Sequence, residues 1–305
     1  MTEKNQDKKA WKIEVHCRPA QKDDTPDVME LTRTIWDGED YVPQVWAEWL
    51  ADTGGRLAVA EHENHVVGLS KLTQLSPVDW WMEGLRVHPE YEGRGIASRL
   101  HDYLLDYWLQ NGKGTIRLAT ASFQVKVHHI SERTGFQKIA EFTPYIAPSV
   151  KYEGSIPLES LFQPLSTAHI PHAINLIKTN PTSDFAAGLV NLSWKWLRYS
   201  EVYLIDEIQK GHIWWWRGGL GLLAILIDDD FEGETVPVIS LLACNLDELP
   251  TLLMDYRYLA NQLGFKKANW FAPLHPELEP LLLAAGYQRE WDASLYIYAK
   301  DHPGI

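Results

Sequence analysis

Two stretches of this 305-residue chain combine residue types that could do chemistry. The first is Leu85-Arg86-Val87-His88-Pro89-Glu90-Tyr91-Glu92-Gly93-Arg94-Gly95-Ile96-Ala97. It reads as a strand, a short turn with two closely spaced glycines, and the first turn of an amphipathic helix. Glycine lets the backbone approach a ligand closely, and a helix N-terminus offers unpaired N–H groups and a partial positive charge. Together they suit an anion, a pyrophosphate above all. A Gly-x-Gly pair before a helix also serves as a plain turn, so this stretch is not decisive alone. The second stretch is 123–134, read as a helix, where Gln124, His128 and Ser131 share one face at i, i+4 and i+7. They lie beside an apolar stripe of Phe123, Val127 and Ile130. Imidazole titrates near neutrality, which suits His128 to proton transfer; a local hydrogen bond is the plainer role. Glu83 is a candidate base, placed by the strand period of two on the side of Leu85 and Val87. An ordinary strand-end carboxylate is its plainer reading.

These groups need a scaffold, and the apolar pattern supplies one. Strands are expected at 11–18, 56–62, 65–75, 79–88, 114–120 and 136–150, with helices near 24–36, 43–51, 94–110 and 123–134. The Glu63-Asn64 connection between alternating runs reads as a hairpin. Ile96, Leu100, Leu104, Leu105 and Trp108 form one buried helical face. The class is α/β (α+β): a mixed, mostly antiparallel sheet flanked by helices, with one parallel crossover. The second half repeats the first at an offset of 151 residues, with Thr134-Gly135-Phe136-Gln137 recurring as Ala285-Gly286-Tyr287-Gln288. At that offset Leu85 and Val87 fall on Val236 and Val238. Two domains are expected, 11–150 and 155–300, joined near Pro148–Pro157.

The order strand, Gly-x-Gly turn, helix, strand, short helix and Gly-Phe resembles the GCN5-related N-acetyltransferase (GNAT) superfamily, well over 11–150 and weakly over 155–300. Of the superfamily signature Gln/Arg-x-x-Gly-x-Gly/Ala, Gly95 and Ala97 match, while Glu92 stands where Gln or Arg is usual. The resemblance implies acetyl-CoA as the co-substrate. The main chain of Leu85, Arg86 and Val87 would pair with the pantetheine arm. Glu92, Gly93, Arg94, Gly95, Ile96, Ala97 and Ser98 would hold the pyrophosphate, and Gln124 stands where the family has Asn. A bound amine would attack the thioester directly. The superfamily's acid, a tyrosine four residues before Gly-Phe, is replaced here by Ser131, which leaves His128 or Ser131 for that role and Glu83 as the base. The loop between the first two helices would close over the acceptor, and here it is Trp36-Asp37-Gly38-Glu39-Asp40-Tyr41. Trp36, Asp40 and Tyr41 would suit a cationic amine through charge and cation–π contact, with Trp81 as a further lining residue. A solvated acidic loop is the alternative.

Charge and composition bound the rest. The net charge of −13 argues against nucleic acid, which needs a basic face. Within 85–100, however, three arginines stand against two glutamates, whereas 236–251 has no basic residue and carries Asp247 and Glu248. The second domain is therefore expected to bind no CoA. Two distant cysteines suggest neither a disulfide framework nor a Cys-based metal site, and no metal is expected. The polar start and the short apolar run 220–227 point to a cytoplasmic protein off the membrane. The expected partner is a small-molecule or peptide amine, and a homodimer is left open. The reading is an acetyl-CoA-dependent N-acetyltransferase, with a non-catalytic acyl-CoA sensor or assembly module as the alternative.

Overall fold

The computed structural model describes residues 13–33, 35, 38–155, 157–230 and 232–304. They form two compact units that interleave along the chain. The first holds the described residues up to Leu118, Lys126–Gln137 and the stretch from Ala299; the second holds Ala119–Val125 and Lys138–Tyr298. The contiguous boundaries 11–150 and 155–300 do not follow this division. The reason lies in long-range pairing. Residues Phe142–Pro148 register against Lys267–Pro273. The tail returns to the first unit, where Asp301 accepts from Thr115 Oγ1 at 2.7 Å and the His302 N–H bonds Gly114 O at 2.8 Å.

In the first unit the elements are β1 (His16–Pro19), α1 (Thr25–Arg33), α2 (Val42–Ala51), β2 (Arg56–His62), β3 (His65–Ser76), β4 (Asp79–Val87), α3 (Ile96–Asn111), β5 (Thr115–Ala121) and α4 (Val125–Arg133). Its strands lie in the order β1-β2-β3-β4-β5. Every neighbouring pair is antiparallel except β4 with β5. Glu63 and Asn64 both have positive φ, 52° and 66°, the conformation that lets a two-residue turn follow the strand twist. The apolar face of α3 is buried throughout, with Leu100, Leu104 and Trp108 at 0% exposure. Helices α1 and α2 bury Val28, Leu31, Val42, Trp46 and Trp49 against Leu57, Val59, Val66 and Leu69. His101, also buried, bonds Thr134 Oγ1 through Nε2 at 2.9 Å and ties α3 to the end of α4.

The second unit contains β6 (Gln137–Pro148), α5 (Leu158–Leu161), β7 (Phe162–Pro164), α6 (Ile170–Thr179), α7 (Pro181–Phe185), β8 (Leu189–Asn191), β9 (Trp196–Arg198), α8 (Glu201–Lys210), β10 (Ile213–Trp216), β11 (Gly221–Asp229), β12 (Thr235–Cys244), α9 (Leu249–Gln262), β13 (Lys267–Pro273), α10 (Leu278–Ala284), β14 (Gln288–Arg289) and most of β15 (Leu295–Asp301). Strands β7, β10, β11 and β12 are antiparallel neighbours, and β12 pairs with β13 in parallel. The second unit thus shows the same sequence of pairings as the first, antiparallel strands followed by one parallel pair. The copies do not align at one offset, however. The last paired residues before the bulges of β4 and β12 are Glu83 and Ile239, which are 239 − 83 = 156 positions apart and not 151. Trp215 and Trp216 are buried, Trp216 completely, and Trp214 packs partly buried against the same core.

Candidate functional site

The site begins where β4 leaves β5. Their parallel register runs from Asp79↔Thr115 to Met82↔Leu118. Next along β4 comes a bulge: Lys71 faces Glu83 and Leu69 faces Arg86, so Gly84 and Leu85 together oppose Ser70. Gly84 makes this bend possible. Its φ is +66°, and a Cβ there would lie 2.5 Å from Trp49 Cη2. The bulge also corrects the expected side-chain directions. Leu69 and Lys71 share a face of β3, so Glu83 and Arg86 share the matching face of β4, and Glu83 does not lie with Leu85 and Val87.

That shared face carries a connected polar group. Thr73 Oγ1 donates to Glu83 Oε1 at 2.6 Å, which orients the carboxylate. Arg86 donates to both oxygens of Asp40, from Nε at 2.8 Å and Nη2 at 3.1 Å. Asp40 is 1% exposed and also accepts the Val42 N–H at 3.1 Å. Tyr41 lies against this pair, its ring 5.3 Å from the Arg86 guanidinium carbon and edge-on to Trp49. Burial of its hydroxyl, with the charges of Glu83 and Asp40, pushes the Tyr41 pKa up to about 12 against the opposing pull of Arg86. Tyr41 therefore stays protonated at neutral pH. Further along β3, buried Lys71 pairs with Asp52; burial alone would raise the Asp52 pKa, but Lys71 and the Gly54 and Gly55 N–H groups hold it below the ordinary value.

Beyond β4 the chain passes through a short 3₁₀ turn at Pro89–Tyr91 to the glycine loop and α3. Gly93 and Gly95 have φ of +74° and +79°, and a Cβ at either would meet nothing within 4 Å. Residues 92–95 are exposed, and Gly95 caps α3. An open backbone cradle at a helix N-terminus fits a pyrophosphate. Glu92 is offset by an exposed ion pair to Lys126 at 2.9 Å. Arg94 sits over the Tyr91 ring at 5.1 Å, and Arg99 donates to Val15 O at 3.1 Å.

Several expected site residues take other roles. Arg86 is committed through its side chain to Asp40, so it adds no free charge beside the loop. Asp40, already neutralised and buried, is no cation-binding group. Ser131 is fully buried, and its hydroxyl donates to Val127 O within α4 at 2.9 Å; it is not placed to protonate a thiolate. Trp81 is 2% exposed and belongs to the core. Phe123, expected in the core stripe, is 60% exposed, edge-on to Trp291. His128 is half-buried on α4. Gln124 is exposed in the turn before α4 and groups with the second unit. Trp36 lies outside the described residues. Sequence reasoning missed Thr73, Trp49 and Lys126. Thr73 carried one signal: it lies two residues after Lys71, a charge inside an apolar strand.

The second unit has the same strand divergence but a different finish. Strand β12 pairs with β13 at Val238↔Asn269 and Ile239↔Trp270, then bulges at Ser240. Beyond this bulge, backbone groups of β12 are taken by Thr182 Oγ1, which donates to Leu242 O and accepts the Cys244 N–H, both at 3.3 Å. The turn that follows is Leu246-Asp247-Glu248, with no glycine.

A parallel strand pair that splays at a bulge and feeds a glycine-capped helix defines the acyl-CoA N-acyltransferase fold. Comparison with known proteins agrees. Residues 25–136 match the acetyltransferase (GNAT) family model. Over 82 residues, 27% of this chain and 24% of the relative, the sequence is 30% identical to a histidine N-acetyltransferase of Oreochromis niloticus. Over 125 residues, 40% of this chain and 43% of the relative, it is 27% identical to an N-acetylaspartate synthetase of Danio rerio. The chain thus spans less than half the length of these relatives. Among solved structures, a GCN5-related N-acetyltransferase from Sphaerobacter thermophilus superposes with a TM-score of 0.61 at 11% identity, covering 95% of this chain and 97% of that one. The similarity to the GNAT family thus lies in residues 25–136, and the solved structures share the fold. No helix among the described residues is long and apolar enough to cross a membrane.

Proposed function

We propose that the first unit is an acetyl-CoA-dependent N-acetyltransferase for a small amine, and that the second unit binds no CoA. One observation carries the reading: Glu83, held by Thr73, stands at the β4 bulge of a strand that leads directly into the open Gly93–Gly95 cradle. The loop from Glu92 to Ser98 would hold the pyrophosphate through its N–H groups, and the β4 edge from Leu85 to Val87 would pair with the pantetheine arm. Acetyl-CoA supplies the activated acyl group. The residues here bind and orient it, and Glu83 takes the proton that the amine must lose as its nitrogen bonds the acyl carbon; the carbon–sulfur bond breaks and CoA leaves as the thiol, its sulfur taking a proton from solvent. Tyr41, which keeps its proton, donates a hydrogen bond on the acceptor side. The names of the two relatives specify histidine and aspartate, which favours a free amino acid over a peptide amine as acceptor.

A non-catalytic CoA-thioester module is the second reading, favoured by the buried and internally bonded Ser131, which leaves the family's tyrosine position without an acid. Thiol release by the full chain with acetyl-CoA and a panel of amino acids, polyamines and peptides separates the two. The enzyme reading expects turnover with at least one free amine, and Glu83→Gln reduces kcat about 100-fold with acetyl-CoA affinity unchanged. Tight acetyl-CoA binding without turnover on any amine supports the module instead.

A further inference from the structure

The glycine cradle of the first unit has less positive charge of its own than its sequence suggests. Of the three arginines in 85–100, Arg86 is paired with buried Asp40, and Arg99 is turned to Val15 O. Between His88 and Gly95 the charged side chains are Glu90, Glu92 and Arg94, an excess of one negative charge. The partial positive charge of the α3 N-terminus, roughly half a unit, does not cancel that excess. A loop so composed repels a pyrophosphate unless another element brings a cation to it.

That cation is present. Lys126, in the first turn of α4, places its Nζ 2.9 Å from Glu92 Oε2. The two residues lie 34 positions apart in the chain, and both belong to the first unit. Their side chains are 80% and 55% exposed, so both charged heads stay in water. Such a pair adds little to stability and is given up at little cost. Lysine also carries its charge on a flexible four-carbon stem, so the head can turn from one anion to another nearby without movement of the helix. The space it would share with a ligand is open, since a Cβ at Gly93 or Gly95 would meet nothing within 4 Å.

We infer that Lys126 is a cofactor-binding residue whose ammonium exchanges Glu92 for the pyrophosphate of acetyl-CoA. Glu92 holds the lysine at the loop before the ligand arrives and competes with the phosphates for it afterwards. It therefore positions the cation and limits the affinity. The inference rests on the CoA reading of the first unit.

Calorimetric titration of the full chain with acetyl-CoA, across single and double variants, tests it. Lys126→Met should weaken binding about tenfold, and Lys126→Arg should bind as the parent does. Glu92→Gln should tighten binding about threefold, because it removes a competitor and a repelling charge. The decisive measurement is Lys126→Met in the Glu92→Gln background, where about tenfold should again be lost. Both positions are exposed, so every variant should melt with the parent. The inference is overturned if Lys126→Met binds as the parent does, or if Glu92→Gln binds no more tightly. It is also overturned if Lys126→Met has no effect once Glu92 is glutamine, since the lysine then only screens that carboxylate. A parent chain that binds acetyl-CoA, and loses it in Gly95→Glu but not in Lys126→Met, refutes this inference and leaves the CoA reading intact. A parent chain that binds no acetyl-CoA overturns both.

Discussion

The two units build the same strand divergence and finish it in opposite ways. In the first, the bulge at Gly84–Leu85 is followed by two glycines whose missing side chains leave open space above a helix N-terminus. In the second, Thr182 occupies backbone groups of Leu242 and Cys244 beyond the bulge, and the next turn carries Asp247 and Glu248. Backbone topology is thus insufficient to make an anion site. What matters is whether the outward N–H and C=O groups are left for a ligand or consumed by a neighbouring side chain. The polar character of the two bulged strands differs in the same sense: β4 presents a carboxylate oriented by Thr73, whereas β12 carries no charged residue between Thr235 and Cys244.

The most severe way to erase the difference is to close the first cradle. Gly95→Glu places a side chain into the open space at the α3 N-terminus, adds a negative charge where an anion is to bind, and demands φ of +79° of a non-glycine residue. Acetyl-CoA affinity should fall by about 100-fold or more, equivalent to roughly 3 kcal/mol. Calorimetry on the folded variant checks it. Unchanged affinity would remove the loop from the site and leave the two units equivalent.

Acid should separate the units next. His101 is buried beside Thr134 and Phe136, and burial lowers its pKa to about 4, with Asp102 opposing and Arg133 assisting. The folded state therefore resists protonation, while an unfolded histidine binds a proton near pH 6.5. Between those values the unfolded chain holds more protons, so stability rises with pH. The contribution is complete above about pH 6.5 and lost as the pH falls to about 4, a difference of about 3 kcal/mol. Hydrogen exchange at pH 7 and pH 4.5 should show α3 losing protection more than α9. His101→Gln should abolish the extra loss in α3, and equal acid sensitivity in both helices would refute the assignment.

What the sequence made legible follows the range of the interactions. The 85–97 stretch could be read because a strand, two glycines and a helix start are local features, and the α3 face Ile96–Trp108 follows from its spacing alone. The side-chain direction of Glu83 could not be read from the sequence, because the bulge is defined by Ser70 on another strand. The Asp40–Arg86 pair joins residues from a loop and a strand, and nothing near either residue announces that each cancels the other. Ser131 looked available because a helical wheel does not show that a serine hydroxyl can return to its own backbone. The repeat was visible through Gly135 and Gly286, yet the fixed offset failed at the bulged strands. The interleaved units depend on pairings such as Trp270↔Tyr145, which no local pattern encodes.

The smallest expected effect tests the most specific part of the comparison, the carboxylate that the second unit lacks. Thr73→Val keeps the shape of the side chain and removes the 2.6 Å bond to Glu83. That bond fixes the orientation of the carboxylate, so its loss should lower kcat about tenfold while acetyl-CoA affinity stays unchanged, as steady-state kinetics and calorimetry would show. A purely structural role for Thr73 predicts instead that affinity and melting temperature fall together with kcat. Thr73→Ser, which retains the hydroxyl, should restore the parent rate. If serine and valine behave alike, the hydroxyl does not orient the base, and the contrast between the two bulges reduces to the presence or absence of a carboxylate.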